Sequence, residues 1–147
     1  MARSDFRFSF PFRVRYSEID GQGVVFNAHY LTYFDTAVTE YLRALNFDYE
    51  AQVKETGEDF HTVKSLVEYK APINFDAEID VFVRAARVGR TSLSLQLEVH
   101  GKGNEDLRAS GEIVWVNTNQ ASHTPAPYKP AFIDMLKSFE GDGLELP

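Results

Sequence analysis

The chain of 147 residues is the length of one domain, and its 15 Lys and Arg against 22 Asp and Glu give a net charge of −7. Such an acidic chain repels phosphate at long range, which argues against general binding of nucleic acid or of an anionic membrane surface. It contains no cysteine, so thiol catalysis, thiolate metal sites and disulfides are excluded.

A hydrophobic content of 44% with 14% aromatic residues is that of a folded globular protein. No apolar run approaches the length of a membrane span, and residues 1–6 lack the apolar core of a signal peptide. No repeat or change of composition marks a domain boundary. We therefore expect a single cytoplasmic domain over residues 1–147.

The first segment alternates with the period of a β-strand. Apolar side chains occupy one parity, which predicts a strand with one buried face. They are Phe6, Phe8, Phe10, Phe12, Val14 and Tyr16. Pro11 lies on the other parity and cannot donate to a ladder, which predicts a sheet edge or a bulge. A glycine-containing loop, residues 17–23, follows.

The clearest helical pattern covers about residues 28–45. Apolar residues recur there at helical spacing and polar residues occupy the opposite side. The apolar set is Tyr30, Tyr33, Phe34, Ala37, Val38, Tyr41, Leu42 and Leu45. Asn27 stands where an N-cap belongs, and Asn46 where a left-handed C-cap belongs. The wide, aromatic stripe predicts packing against a sheet.

A polar connection, residues 46–60, precedes four further alternating runs. These runs cover residues 63–71, 79–85, 93–99 and 107–115. Short glycine turns at residues 88–91 and 101–104 predict that the last three strands form a meander of hairpins. A closing helix with Pro130 near its start is predicted around residues 132–139.

The predicted order is strand, long helix, four strands and a short helix, which is an α+β arrangement of antiparallel strands over one helix. A sheet with only one long helix on it leaves its other face and its edges without cover. Because open edges favour further pairing, we expect oligomerisation.

Asp20 is the first candidate for chemistry. It lies in the loop before the long helix, where its carboxylate can act as a general base or nucleophile and the helix start offers free N–H groups to an oxyanion. The alternative is that Asp20 and Gly21 form only a turn. Glu18 is likewise a second reactive carboxylate or a solvated neighbour, and Asn27 a ligand contact or an N-cap.

Several common chemistries lack their motifs. The four histidines have no metal-ligand spacing, there is no Gly-x-Ser-x-Gly elbow, and residues 21–26 fail the dinucleotide pattern, so we expect neither a metal nor a cofactor. Arg87 and Arg90, close to Ser92, form a small basic patch that can hold a phosphate. The alternative is a solvated hairpin turn.

Three stretches carry a family resemblance: residues 15–35 (RYSEIDGQGVVFNAHYLTYFD), 67–76 (VEYKAPINFD) and 86–92 (ARVGRTS). Together they resemble the 4-hydroxybenzoyl-CoA thioesterase family of hot-dog-fold acyl-CoA thioesterases. The resemblance spans about residues 8–118. It implies a five-stranded antiparallel sheet wrapped around one long helix, in agreement with the order above.

The resemblance also implies a site and a reaction. Asp20 falls on the family's catalytic aspartate, which attacks the thioester carbonyl or activates water to do so. The turn and helix start that polarise the thioester and contact substrate fall on a set of neighbouring positions. These are Gly23, Val24, Phe26, Asn27, Ala28 and Tyr30. Arg87, Arg90 and Ser92 become candidates for the CoA phosphates, and no cofactor is needed.

The resemblance implies an acyl-CoA substrate and a homodimer or homotetramer with each active site between two subunits. Asn27 stands where many bacterial relatives carry His, which leaves the acyl group open. The chain lacks the His-Gly-Gly motif of relatives with a helical catalytic carboxylate, so Asp35 and Glu40 are rejected for that role. The alternatives are an acyl-carrier-protein thioesterase, which the net charge disfavours, and a non-catalytic acyl-CoA-binding protein.

Overall fold

Five long strands and a two-residue sixth form one antiparallel sheet in the computed structural model, which describes residues 5–147. The strands are β1 (Ser9–Arg13), β2 (Glu58–Tyr69), β3 (Glu78–Val88), β4 (Ser92–Gly101), β5 (Leu107–Asn119) and β6 (Thr124–Pro125). The helices are α1 (His29–Ala44), α2 (Tyr49–Thr56) and α3 (Pro130–Glu140). Residues 1–4, part of the stretch read for a signal peptide, lie outside the described residues.

The sheet order is β1-β3-β4-β5-β2, with β6 paired to the end of β5. The predicted meander of the last three long strands is confirmed, since β3 pairs with β4 and β4 with β5. The inner face of this sheet packs against α1. The arrangement is the hot-dog fold, and it confirms the expected α+β class. No helix within residues 5–147 is long and apolar enough to cross a membrane.

Helix α1 lies within the curve of the sheet, and its predicted stripe forms the centre of the core. The stripe residues from Tyr30 to Leu42 are all buried, facing apolar side chains of β3, β4 and β5. Gly111 of β5 allows the closest approach. A Cβ built there would lie 2.3 Å from the Phe34 ring and 2.6 Å from the carbonyl oxygen of Leu66. The glycine therefore fixes how deeply the helix sits in the sheet.

One of the two predicted caps of α1 is confirmed and the other is wrong. Asn46 has a φ of 61° just beyond the helix, so the left-handed C-cap is confirmed. Asn27 is not the N-cap. Ala28 occupies that position, and no side chain caps the helix. The first turn of α1 consequently begins without a polar side chain to satisfy its N–H groups.

Strand β1 is one edge of the sheet, as the position of Pro11 predicted. Pro11 lies opposite Asp80 of β3. The expectation that Tyr16 continues the buried parity is wrong. The strand ends at Arg13, and residues 16–18 form a 3-10 turn that leaves Tyr16 79% exposed. The turn changes the direction of the chain toward α1.

Strand β2 is the other edge, and the expected burial of its alternating face is wrong. Val63 is 60% exposed and Tyr69 54%; Val63 lies at a bulge between Thr62 and Lys64, and β2 is the last strand of the sheet within residues 5–147. The preceding polar connection, for which no element was predicted, contains α2. Its only strong sequence signals are its ends, where Asp48 accepts a hydrogen bond from the Ala51 N–H (3.1 Å) and Gly57 adopts a φ of 68°. No residue of α2 is buried.

Helix α3 begins at Pro130, as predicted, and closes the far end of the core. Its last residue, Glu140, is buried. The Glu140 carboxylate accepts hydrogen bonds from the Tyr41 hydroxyl (2.5 Å) and from the Ala85 N–H (2.9 Å). Burial, together with this carboxylate, raises the pKa of Tyr41 well above its ordinary value. The contact ties α3 to both α1 and β3.

Candidate active site

Asp20 lies at the tip of a tight turn between β1 and α1. Its N–H donates to the Val24 carbonyl (2.9 Å), and its carbonyl accepts from the Gly23 N–H (3.0 Å). Its carboxylate accepts a hydrogen bond from the Gln22 N–H through Oδ1 (2.8 Å). Gly23 has a φ of 78°, which a side chain rarely permits. The turn holds a half-buried carboxylate with one oxygen fixed by the backbone.

Backbone pairing fastens the turn to the segment that precedes β3. The Val25 N–H donates to the Ile73 carbonyl (2.8 Å), and the Phe75 N–H donates to the Gly23 carbonyl (3.2 Å). Residues that are distant in sequence therefore hold both sides of the Asp20 turn. The second resembling stretch, residues 67–76, supplies this support.

Glu18 anchors the base of the turn, and its interpretation as a solvated neighbour is wrong. It is buried, and its Oε1 accepts from the Arg15 N–H (2.9 Å) and the Tyr33 hydroxyl (2.7 Å). Its Oε2 accepts from the Arg15 guanidinium at 2.8 and 2.5 Å. Burial acts to raise the pKa of Glu18, but these hydrogen bonds hold it below its usual range.

The same network orients the start of α1. Glu18 accepts through its backbone carbonyl from the Phe26 N–H (2.9 Å), and Tyr33 lies on the first turns of the helix. The N–H groups of Asn27 and Ala28 have no acceptor within the part of the chain that the structure describes. They lie at the positive end of the helix dipole. This is an arrangement able to stabilise an oxyanion.

The remaining residues predicted near Asp20 have different placements. The N–H groups of Gly23 and Phe26 are already used within the loop, and Val24 pairs with Asn74. Tyr30 is buried in the core, where its ring makes an edge contact with Tyr69 at 5.0 Å. The Asn27 carbonyl accepts from the Tyr69 hydroxyl (3.2 Å). Tyr30 therefore supports the helix start from within.

The predicted phosphate-binding residues lie at the opposite end of the sheet. The Asp20 turn is attached near the start of β3, whereas Arg87 is near its end, about 30 Å further along the strand. Arg90 is exposed in the following turn, and Ser92 begins β4. Arg87 lies 3.9 Å from a Glu145 carboxylate oxygen. Within one subunit the structure does not bring this patch to Asp20.

A groove that the sequence did not reveal runs between α1 and β2. It consists of a cavity of about 200 Å³ beside Leu31 and a cleft of about 640 Å³ that continues to α2. The two share three lining residues: Asp35, Thr62 and Trp115. Phe60 stacks on Trp115 with ring centroids 4.6 Å apart. One signal was present in the sequence, since Leu31 is apolar on the polar side of α1.

No three His, Asp or Glu side chains within residues 5–147 cluster in a way that could hold a metal ion. The arrangement of an antiparallel sheet around one long helix places the protein in the hot-dog class. The sequence profile of the Thioesterase superfamily matches residues 22–108. The chain therefore belongs to the Thioesterase superfamily. The match begins two residues after Asp20.

Named relatives and solved structures agree with this membership. Acyl-CoA thioesterase YbgC of Haemophilus influenzae is 41% identical over 69 residues, 47% of this chain and 51% of that protein. PA5185 of Pseudomonas aeruginosa is 27% identical with a TM-score of 0.82, covering 96% of both chains. A thioesterase of Thermus thermophilus, solved with coenzyme A and Zn, is 27% identical with a TM-score of 0.78, covering 93% and 97%. The chain aligns with about half of the H. influenzae relative's length.

The Glu18 anchor predicts how stability depends on pH. Because the folded-state pKa of Glu18 is lowered, its contribution is present above the unfolded value of about 4.3 and is lost as pH falls through the folded value. We expect Glu18→Gln to lower the free energy of unfolding by about 1–2 kcal/mol at pH 7, and the deficit to shrink toward pH 3. Urea unfolding between pH 3 and 7 measures this.

Glu55→Gln, at an exposed position on α2, is the matched control and should follow the wild type at every pH. A Glu18→Gln deficit that is equal at pH 3 and pH 7 would contradict the role of the ionised carboxylate.

Proposed function

We propose that the protein is an acyl-CoA thioesterase that hydrolyses an acyl-CoA thioester to a free acid and CoA. The observation that carries the proposal is the half-buried Asp20 carboxylate in a turn joined to a helix start with two free N–H groups. A carboxylate and an oxyanion-stabilising helix start suffice for acyl transfer without a metal, cysteine or serine elbow. The names of the relatives support the same activity.

Two routes use these groups. Asp20 either takes a proton from water as the water oxygen attacks the thioester carbon, or attacks that carbon itself to form an anhydride that water then hydrolyses. In both, the carbonyl oxygen becomes an oxyanion held by the N–H groups of Asn27 and Ala28, each worth a few kcal/mol. The C–S bond then breaks, its electron pair stays on sulfur, and CoA leaves as the thiolate before taking up a proton.

Substrate contacts follow from this placement. Gly23, Val24 and Phe26 shape the turn around the thioester, beside Asn27 and Ala28. The overall charge of −7 disfavours an acidic acyl carrier protein as the donor of the acyl group. We place the reaction in the cytoplasm, in keeping with a chain that has no cysteine.

The active unit is a homodimer, built on the edge strand β2. Its outer edge has no partner within residues 5–147, and Val63 and Tyr69 are exposed along it. Antiparallel pairing of two β2 strands about a twofold axis places the Glu58 end of one beside the Tyr69 end of the other. Since Arg90 lies toward the Glu58 end and Asp20 toward the Tyr69 end, this pairing brings the partner's phosphate-binding patch toward each site.

Arg87, Arg90 and Ser92 serve the CoA phosphates only in that assembly. Two dimers can pair further into a homotetramer.

Replacing Asp20 tests the catalytic role. Asp20→Asn keeps the oxygen that accepts from the Gln22 N–H but removes the base, so the fold should persist while kcat/KM falls at least about 100-fold. Thiol release from a panel of acyl-CoAs measures the rate. Asp134→Asn, exposed on α3, is the control and should keep full activity.

Full activity of Asp20→Asn would refute the residue assignment. If the protein releases CoA from none of the acyl-CoAs but binds them tightly in a calorimeter, the result would instead favour the non-catalytic binding protein.

The dimer is tested at the centre of β2. Val63→Lys places two like charges close to the twofold axis, so we expect the mass in light scattering to fall to that of a monomer and kcat/KM to fall at least about tenfold. Ser9→Lys, exposed on the opposite edge strand, should leave both unchanged. A wild-type protein that is monomeric at full activity would contradict the proposal.

A further inference from the structure

The groove beside α1 begins next to the proposed oxyanion site. Leu31, the first residue of α1 to line it, is three positions after Ala28, about 5 Å along the helix axis. Asp35 and Thr39 follow at intervals of four on the same side of the helix and line the larger cleft. An acyl group whose carbonyl lies at the helix start therefore has a continuous path along α1.

Three large apolar side chains line one side of the groove. Ile113 and Trp115 of β5 lie below the first part, and Phe60 of β2 continues the floor into the cleft. The cleft has a volume of about 640 Å³, which is that of an ordinary small-molecule site. The surface suits a hydrocarbon chain or ring, whose burial is favourable in proportion to its apolar area.

The walls of the cleft are strongly negative. Its lining residues include four carboxylates, those of Asp35, Asp48, Glu50 and Asp59, and a single cation, Arg43. The Arg43 guanidinium is paired with Glu40 on its own helix, so it is not free for a ligand. The Tyr49 hydroxyl donates to both Asp59 oxygens (2.7 and 2.6 Å), and that carboxylate raises the pKa of Tyr49 to about 12.

We propose that this groove holds the acyl group and selects acyl groups without a charge, against those that end in a carboxylate. The proposal rests on the proposed thioesterase function and names its substrate class. A carboxylate at the far end of a long acyl chain would enter a cleft already lined by four carboxylates, and repulsion between like charges disfavours its entry. The CoA phosphates stay outside the groove and do not meet this barrier.

Asp35 is the side chain that tests the selection most directly. It lines both parts of the groove, it is exposed, and its carboxylate makes no hydrogen bond within residues 5–147. Its replacement therefore removes no hydrogen bond within the subunit, and light scattering of Asp35→Lys checks that the proposed homodimer persists. Asp134, exposed on α3 away from the groove, offers the same change of charge as a control.

The experiment compares kcat/KM for two acyl-CoAs of matched carbon skeleton that are long enough to extend past Thr39, about 16 Å from Ala28 along the helix axis: hexadecanoyl-CoA and hexadecanedioyl-CoA. Since both members of the pair share the CoA part, their ratio isolates the acyl charge. We expect the wild type to prefer the uncharged member at least about tenfold, Asp35→Lys to reduce that ratio about tenfold or more, and Asp134→Lys to leave it unchanged. Equal rates for the two members, or a ratio that Asp35→Lys leaves unchanged, would overturn the proposal.

Trp115 gives a second readout that needs no turnover, because it is the only tryptophan of the chain. Titration of Asp20→Asn with hexadecanoyl-CoA should change its fluorescence, while CoA alone should not, and hexadecanedioyl-CoA should bind at least about tenfold more weakly. Hydrolysis without any response of Trp115 would overturn the groove assignment and leave the thioesterase function standing. A charge-selective response without hydrolysis of any acyl-CoA would support the groove and refute the function.

Discussion

The buried Glu18 carboxylate is the contact on which the site depends. It joins three parts of the chain, since it accepts from the guanidinium and N–H of Arg15 and from the hydroxyl of Tyr33 on α1. Removing a charge from water is costly unless every acceptor is satisfied, and here both oxygens are. The carboxylate thereby fixes the distance between the end of β1 and the start of α1. The Asp20 turn spans that distance.

The position of α1 in the sheet supplies the second constraint. Gly111 lets Phe34 approach the sheet closely, which sets the depth of the helix, while the helix side facing β2 is left open by residues 5–147 of the same subunit and forms the groove. One face of α1 thus packs in the core, its start carries the free N–H groups, and another of its sides lines the groove. The proposed roles of oxyanion stabilisation and acyl selection are coupled through its placement.

Much of the fold could be predicted because it depends on local periodicity. The alternation of β3 to β5, the stripe of α1, and the positions of Pro130 and Asn46 are all local signals. Helix α2 was missed because its residues are half-buried or exposed and its pattern is therefore weak. Tyr16 and β2 were assigned buried faces because alternation does not reveal whether a neighbouring element is present to cover them.

The site could be predicted only in part. Asp20 and the helix start lie within one short stretch, so spacing and family resemblance gave them together as candidates. The burial of Glu18 depends on Tyr33, and the groove depends on β2, β5 and α2 meeting beside α1, which no local pattern encodes. Arg87 and Arg90 were joined to Asp20 by resemblance, whereas the length of β3 separates them within one subunit.

The most direct test of the account is a crystal structure of the protein with an unreactive acyl-CoA analogue in which a methylene group separates the carbonyl from sulfur. The account predicts the carbonyl oxygen about 3 Å from the N–H of Asn27 or Ala28, with Asp20 beside the carbonyl carbon and the acyl group along α1 over Trp115. An analogue bound with its carbonyl remote from the start of α1 would contradict it.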